Sequence, residues 1–334
     1  MTSFRWNCVG SGILSDAKIP IHEDPNFQDL TVAAATALKA PLSVVVKDYW
    51  LTLALASLAS STDFRVVFKG GTSLSKGWGL INRFSEDIDL LVAPVSGAKL
   101  GQAASETLLK KVLSTFVRES RFTPSTDPSQ TATGGKKPPR RVSYFNYPGS
   151  DHAAVDGLLP HLKVELSIHE GNFPTTPRPI RSMLASVILE RARTTDTDRY
   201  SNLETFDVVC LDPLRTFAEK VSLLAQAFQK GDSVTYCRHY YDLYFLLGEA
   251  SILERLGTAE HVAIKRSIHR IDQLYEVQQD EAFYATPGTS PAFGFGEPLI
   301  TELSTAYDGG RIYYGSKPPF AELAARIAIY RSRF

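Results

Sequence analysis

The chain has 334 residues, 43 % hydrophobic and 22 % charged, and its 36 basic and 36 acidic side chains balance to zero. That length suits two lobes, or one large domain with a helical appendage, and the balance excludes a polycation built to coat nucleic acid. Cys8, Cys210 and Cys237 show no paired spacing, which argues against a zinc site or a disulfide framework. No uncharged apolar run, Leu51 to Leu58 included, approaches the roughly 18 residues of a membrane span. The first residues lack the basic-then-apolar layout of a signal peptide, so the expected location is the cytoplasm, with no membrane partner.

Residues up to about Asp29 read as irregular, and the Ala-rich stretch Leu30 to Lys39 favours helix. Pro41 suits the first turn of a second helix, in which Val45, Val46, Tyr49, Trp50, Leu53 and Ala56 predict one buried face. Phe64 to Phe68 is a β-branched and aromatic run, predicted as a buried strand that Lys69, Gly70 and Gly71 break. Thr72 to Trp78 reads as the first turns of a helix, Ile88 to Ala93 as a strand, and Leu108 through Val117 as an amphipathic helix. Thr123 to Arg140, rich in Pro, Ser, Thr and Gly, reads as a mobile loop that leads into a basic group, Lys136, Lys137, Arg140 and Arg141.

Val142 to Tyr147 and Leu162 to Ile168 are predicted strands. The second puts Val164, Leu166 and Ile168 on one face and Lys163, Glu165 and Ser167 on the other. Ser182 to Arg193 reads as helix and Phe206 to Leu211 as strand. After that the character changes. Asp212 and Pro213 supply a cap acceptor and a first-turn proline for a helix to about Lys230, and Ser233 caps one predicted to reach Leu247. Further helical stretches cover roughly Thr258 to Val277, Pro298 to Tyr307, and Pro319 onward. The chain reads as an α/β (α+β) half with a mixed sheet and flanking helices, then an all-helical C-terminal half.

One constellation carries chemistry: Gly70-Gly71-Thr72-Ser73 after a strand, then Ser85, then Asp87-Ile88-Asp89 on the next strand. Glycines let backbone approach phosphate oxygens, helix-start N–H groups point at them, and Thr72 and Ser73 add hydroxyls. Asp87 and Asp89 lie two apart on a strand, so both carboxylates leave one face. Two adjacent carboxylates are best reconciled by a divalent cation that also binds phosphates. Each part has a plainer alternative: a glycine pair as a simple turn, Asp-x-Asp as a solvated strand face, Ser85 as a turn residue. The conjunction is harder to explain that way.

Phe68 to Lys76, followed by Arg83-Phe84-Ser85-Glu86-Asp87-Ile88-Asp89-Leu90, resembles the signature of the AbiEii/AbiGii (MenT-type) toxin nucleotidyltransferases of the DNA polymerase β-like superfamily. Thr216-Phe217-Ala218-Glu219-Lys220 resembles the family's lysine-bearing helix, Arg238-His239-Tyr240-Tyr241-Asp242-Leu243 its Arg-x-x-x-Asp-Leu helix, and Lys47-Asp48-Tyr49-Trp50 the helix before the glycines. The resemblance spans about residues 45 to 247. It implies a type IV toxin–antitoxin toxin with an NTP donor, Mg²⁺ (or Mn²⁺), a cognate antitoxin and, for MenT-type members, a tRNA acceptor. It implies Asp87, Asp89, Lys220 and Asp242 as catalytic residues, and Gly70, Gly71, Thr72, Ser73, Lys76 and Ser85 as the nucleotide site. With the change of character after Leu211, the expected division is an N-terminal irregular or helical segment (1–40), a nucleotidyltransferase core (41–211) and a helical C-terminal domain (212–334).

Superfamily sites use a third metal carboxylate on a neighbouring strand, for which Glu165 is the candidate, a solvent-facing Glu being the alternative. Lys220 as a snorkelling helix lysine and Asp242 as a helix partner of Arg238 are likewise alternatives. His152, His161 and His169 lack metal-ligand spacing. The expected chemistry is in-line attack of an acceptor hydroxyl on an NTP α-phosphorus with pyrophosphate release. An RNA acceptor would lie along Lys136, Lys137, Arg140, Arg141, Arg178, Arg181, Arg191 and Arg193, unless these are ordinary surface charge. Competing readings are a small-molecule or protein acceptor, and a non-catalytic RNA- or antitoxin-binding module.

Overall fold

A computed structural model of the chain describes residues 18–119, 122–126, 133–136, 139–150, 158–168, 174–191, 198–274, 277, 279–310, 312–314 and 316–334. Lys137, His152, His169 and Arg193 lie outside them. The first half opens with helices α1 (Phe27–Leu38) and α2 (Leu42–Ala59). A mixed sheet follows, formed by β1 (Phe64–Lys69), β2 (Asp87–Pro94), β3 (Thr123–Pro124), β4 (Thr133–Lys136), β5 (Pro139–Asn146), β6 (Leu162–Ser167), β7 (Thr175–Ile180) and β8 (Phe206–Leu211). Its order is β3-β5-β6-β2-β1-β8-β7, with β4 also on β5. Strand β2 is central, antiparallel to β1 and parallel to β6.

Three expectations change. The helix expected to bury one face is buried nearly all round. It is the one helix among the described residues long and apolar enough to cross a membrane, yet 72 % of it is packed inside the protein. The stretch expected as a loop from Thr123 to Arg140 contains β3 and β4, which extend the sheet past β5. Strand β7 has no counterpart in the sequence reading because its pattern, Thr-Thr-Pro-Arg-Pro-Ile, carries two prolines. They lie two apart, so their missing N–H groups fall on one side of the strand, and an edge strand has a side to spare.

The sheet has two unlike faces. Phe68, Ile88, Leu90, Val164 and Leu166 point into a core shared with α2, with α4 (Gln102–Glu119) and with α5 (Met183–Arg191). The opposite face is covered by the helical half. That half begins with α6 (Pro213–Gln229), where the Asp212 carboxylate accepts from the Leu214 N–H at 2.8 Å. Helix α7 starts at Arg238, four residues later than a Ser233 cap would have it, and ends at Leu246. Helices α8 (Ala259–Leu274), α9 (Glu297–Gly309) and α10 (Phe320–Tyr330) complete it. Leu74 and Ile81 belong to this second apolar core, and Ile21, Leu30 and Ala34 to the first.

Candidate active site

Alternation puts Ile88 and Leu90 into the core, so Asp87 and Asp89 must leave the other face of β2. Strand register sets their neighbours: Lys163 pairs with Asp87, Glu165 with Asp89 on one side, and Lys69 with Asp89 on the other. Asp87, Asp89 and Glu165 thus share one face: alternation puts Glu165 opposite Val164 and Leu166, and strand register sets it beside Asp89. The Lys163 ammonium lies between two of them, ion-paired with Glu165 and 3.6 Å from Asp87. Burial pushes the Asp89 carboxyl up to about 7, Glu165 and Asp87 add to the push, and Lys69 opposes it. Burial also disfavours the Lys69 ammonium, but Asp89, Glu219 and Glu165 outweigh it and hold that pKa above the ordinary lysine value.

The two glycines stand between this anionic face and a cationic one. Gly70 has φ +74°, and a Cβ there would lie 2.2 Å from Asp89 Oδ2. A Cβ on Gly71 would lie 2.6 Å from Arg83 Nη2 and 3.0 Å from Ser85 Oγ. The backbone therefore threads a gap that only glycine leaves open. It leads into a short α-helical turn, α3 (Gly70–Thr72), and a π turn over Ser73–Gly77.

Arg83 belongs to a buried node that joins the halves. Its Nε donates to Asp242 Oδ1 at 2.6 Å and its Nη2 to Asp242 Oδ2 at 2.7 Å. Lys220 reaches the same Oδ2 at 2.8 Å and lies 3.0 Å from His239 Nδ1. Asp242 is fully buried; burial would raise its pKa, but Arg83 and Lys220 hold it well below the usual carboxylate range. Burial lowers the Lys220 pKa, Arg83 adds to that, and Asp242 opposes it. Burial and Lys220 push His239 down to about 3, so its ring is neutral and accepts from the lysine. Asp242 is thus no partner of Arg238 here, and Lys220 does not snorkel.

The sequence profile of one protein family, described as "Nucleotidyl transferase AbiEii toxin, Type IV TA system", matches residues 54–294. The chain belongs to this family. It is accordingly a nucleotidyltransferase of the type IV toxin–antitoxin class. No curated protein matches it. Among solved structures it is similar to the MenT4 nucleotidyltransferase toxin of Mycobacterium tuberculosis, at 15 % identity and a TM-score of 0.41, covering 83 % of this chain and 97 % of that one. JHP933 from Helicobacter pylori is similar at 13 % identity and a TM-score of 0.39, over 83 % and 86 % of the two chains.

Within this AbiEii-family site, some expected residues do other work. Lys76 ion-pairs with Asp48 at 2.6 Å and donates to the Arg181 carbonyl. The Thr72 hydroxyl donates to the Asp87 carbonyl at 2.6 Å, pinning the carboxylate strand. Ser73 Oγ is buried against the Cys210 thiol. Of the basic set, Arg178 stacks on Trp78 and donates to the Gly77 carbonyl, and Arg191 is exposed at the end of α5. Arg140, in register with Ser167, lies beside the carboxylate face, while Arg141 pairs with Leu166 on β6. Sequence reasoning missed Lys69, Arg83, Lys163 and His239 as parts of the site. The signals were there: Lys69 and Arg83 flank the motif residues, Lys163 alternates with Glu165, and His239 precedes Asp242 by three on one helix.

Proposed function

We propose that this chain transfers a nucleoside monophosphate from an NTP to an RNA acceptor, a tRNA in keeping with the MenT-type resemblance, releasing pyrophosphate in the cytoplasm under the control of a cognate antitoxin. The observation that carries the reading is the glycine pair wedged between unlike charges, with Gly70 against Asp89 and Gly71 against Arg83. A triphosphate with its divalent cation is a ligand of matching polarity: cation toward the carboxylates, phosphates toward the guanidinium and ammonium.

The donor set fits Mg²⁺ or Mn²⁺. Among the described residues no group of three or more His, Cys, Asp and Glu side chains could hold a metal ion. Asp87 and Asp89 nevertheless leave one face together, and Asp89 is crowded by like charge. Mg²⁺ is commonly bound by one or two carboxylates plus substrate phosphates. Asp87 and Asp89 would hold it, with Glu165 completing the set once released from Lys163. When bound, the ion supplies Lewis-acid stabilisation of phosphoryl charge. The chain's own residues do the rest. Gly70, Gly71 and Ser85 admit and contact the phosphates, Arg83 and Lys220 neutralise charge developing on the leaving oxygens, and Asp242 holds both cations in place.

Incubation with each α-³²P-labelled NTP, Mg²⁺ and total RNA tests the reading. Label is expected on RNA. Label on a small molecule or protein, or none at all, would overturn it.

A further inference from the structure

The carboxylate face does not end at Asp89. Beside it, between the sheet and helices α6 and α8, lies a cavity of about 290 Å³. Lys69 and Glu165 both line it, and both are register partners of Asp89. The cavity therefore adjoins the Asp89 row of the sheet on the Leu91 side, away from Gly71, Ser85 and Arg83.

Its chemistry is specific. Lys69, Arg140 and Arg215 supply cations, Glu165, Glu219 and Asp272 supply carboxylates, and Leu91 and Leu223 supply apolar wall. Two nearby cations are already committed, Arg215 to Glu219 at 2.8 Å and Lys163 to Glu165. Among the described residues no carboxylate closes on Lys69 as an ion pair, although Asp89 lies opposite it in the strand register. An ammonium lining a part-apolar cavity of this size suits a single nucleotide with a phosphate, near the lower end of the ~300–1,000 Å³ of ligand sites.

In-line displacement puts the attacking and leaving oxygens on opposite sides of the phosphorus. With the leaving phosphates at Gly71 and the cationic node, the attacking hydroxyl must arrive from the cavity side. We propose that this cavity is the acceptor subsite, and that Lys69 binds a backbone phosphate of the acceptor's terminal nucleotide while the apolar wall receives its base. The inference rests on the reading above and adds to it where the acceptor lies and which residue holds it.

Wild type, Lys69→Met, Lys69→Arg and Arg140→Gln can be compared by two binding measurements. These are the anisotropy of a fluorescein-labelled single-stranded ribo-oligonucleotide with a free 3′ hydroxyl, across a salt series, and the Kd of Mn²⁺-NTP. Lys69→Met should raise the oligonucleotide Kd about tenfold and reduce its salt slope by about 0.7, while Arg140→Gln should leave the NTP Kd within about twofold. Lys69→Arg should retain most of the affinity. Arg140 is exposed, so Arg140→Gln keeps the fold and should raise the oligonucleotide Kd about threefold even if Lys69→Met does not fold.

An NTP Kd that rises in step would make the cavity the nucleoside pocket and overturn the proposal. So would oligonucleotide binding indifferent to both positions in a protein that labels RNA. If the wild type labels another acceptor instead, the RNA reading falls. The subsite is then judged by whether Arg140→Gln raises the KM of that acceptor with the NTP Kd unchanged.

Discussion

Two groups of buried charge lie on either side of the glycine turn, and they are built differently. On α2, Lys47 pairs with Glu86 at 2.6 Å and Asp48 with Lys76 at 2.6 Å. Backbone closes the set: Lys47 donates to the Leu159 carbonyl, and the Met183 N–H donates to Asp48. Two positive charges meet two negative ones. At the junction with the helical half, Arg83 and Lys220 share the single carboxylate of Asp242, and His239 is neutral. That node carries one surplus positive charge. A balanced set is complete in the folded chain and needs nothing more. A surplus cation at a gap between backbone and carboxylates is complete only when an anion arrives.

The sharpest test lies on the carboxylate face that the node opposes. Asp87→Asn and Asp89→Asn should each lower transfer on the order of 10³-fold, as loss of a focused electrostatic group does. Neither should reduce thermal stability, because each relieves repulsion between neighbours. Wild-type turnover by either variant at saturating Mg²⁺ would remove that residue from the chemistry.

Next come the two ionic groups themselves. Asp242→Ala strands Arg83 and Lys220, and Lys76→Met strands Asp48, so each should cost about 3–5 kcal/mol in denaturant unfolding. The difference is in function. The folded fraction of Lys76→Met should transfer at near wild-type rate, while that of Asp242→Ala should be nearly inactive. Equal specific activity of the two variants would erase the distinction between a balanced and an unbalanced group.

Lys220→Met removes the surplus charge without stranding a partner, since Arg83 still holds Asp242 through two hydrogen bonds. Stability should change by less than about 1.5 kcal/mol, within the range of volume-conserving exchanges. Transfer should fall about 100-fold, with the loss in kcat rather than in acceptor KM. A large fall in melting temperature with normal kcat would make Lys220 a structural cation.

How much of this was legible follows from sequence separation. The carboxylate face was readable because alternation within a strand is local: Asp87 and Asp89 fix one face, and Lys163 and Glu165 another. What joined them was strand register, which no single segment encodes. Lys76 shows the same limit: the resemblance implies it for the nucleotide, and its pairing with Asp48, 28 positions away, left no local trace. Arg83 and Asp242 lie 159 positions apart, so their pairing had no local trace. Strand β7 was hidden by prolines that an edge permits, and β4 by glycines in Thr133–Lys136 that weaken any strand signal.

The smallest expected effect is the pH dependence of Asp89, and it probes the anionic side of the same comparison. Burial first, then Glu165 and Asp87, raise its carboxyl to about 7, against an unfolded value of about 3.9. The folded chain thus holds this proton more tightly than the unfolded chain does. The sign follows: the contribution to stability is full below about pH 3.9, declines as pH rises, and is gone above about 7. Asn at this position never ionises, so the melting temperature of wild type relative to Asp89→Asn isolates the effect. Groups such as His239 and His261, whose burial lowers their pKa values to about 3 and about 4, titrate in both proteins and cancel. Without metal, the wild-type melting temperature should fall by a few degrees relative to Asp89→Asn from about pH 4 to 7 and then stay level relative to it. Mg²⁺ binds only the deprotonated carboxylate, so adding it should raise the wild-type melting temperature above pH 7, do little below pH 5, and leave Asp89→Asn nearly unmoved. A difference that is flat with pH and indifferent to Mg²⁺ would mean that Asp89 is already ionised and balanced by Lys69, making the carboxylate face as self-sufficient as the pairs on α2.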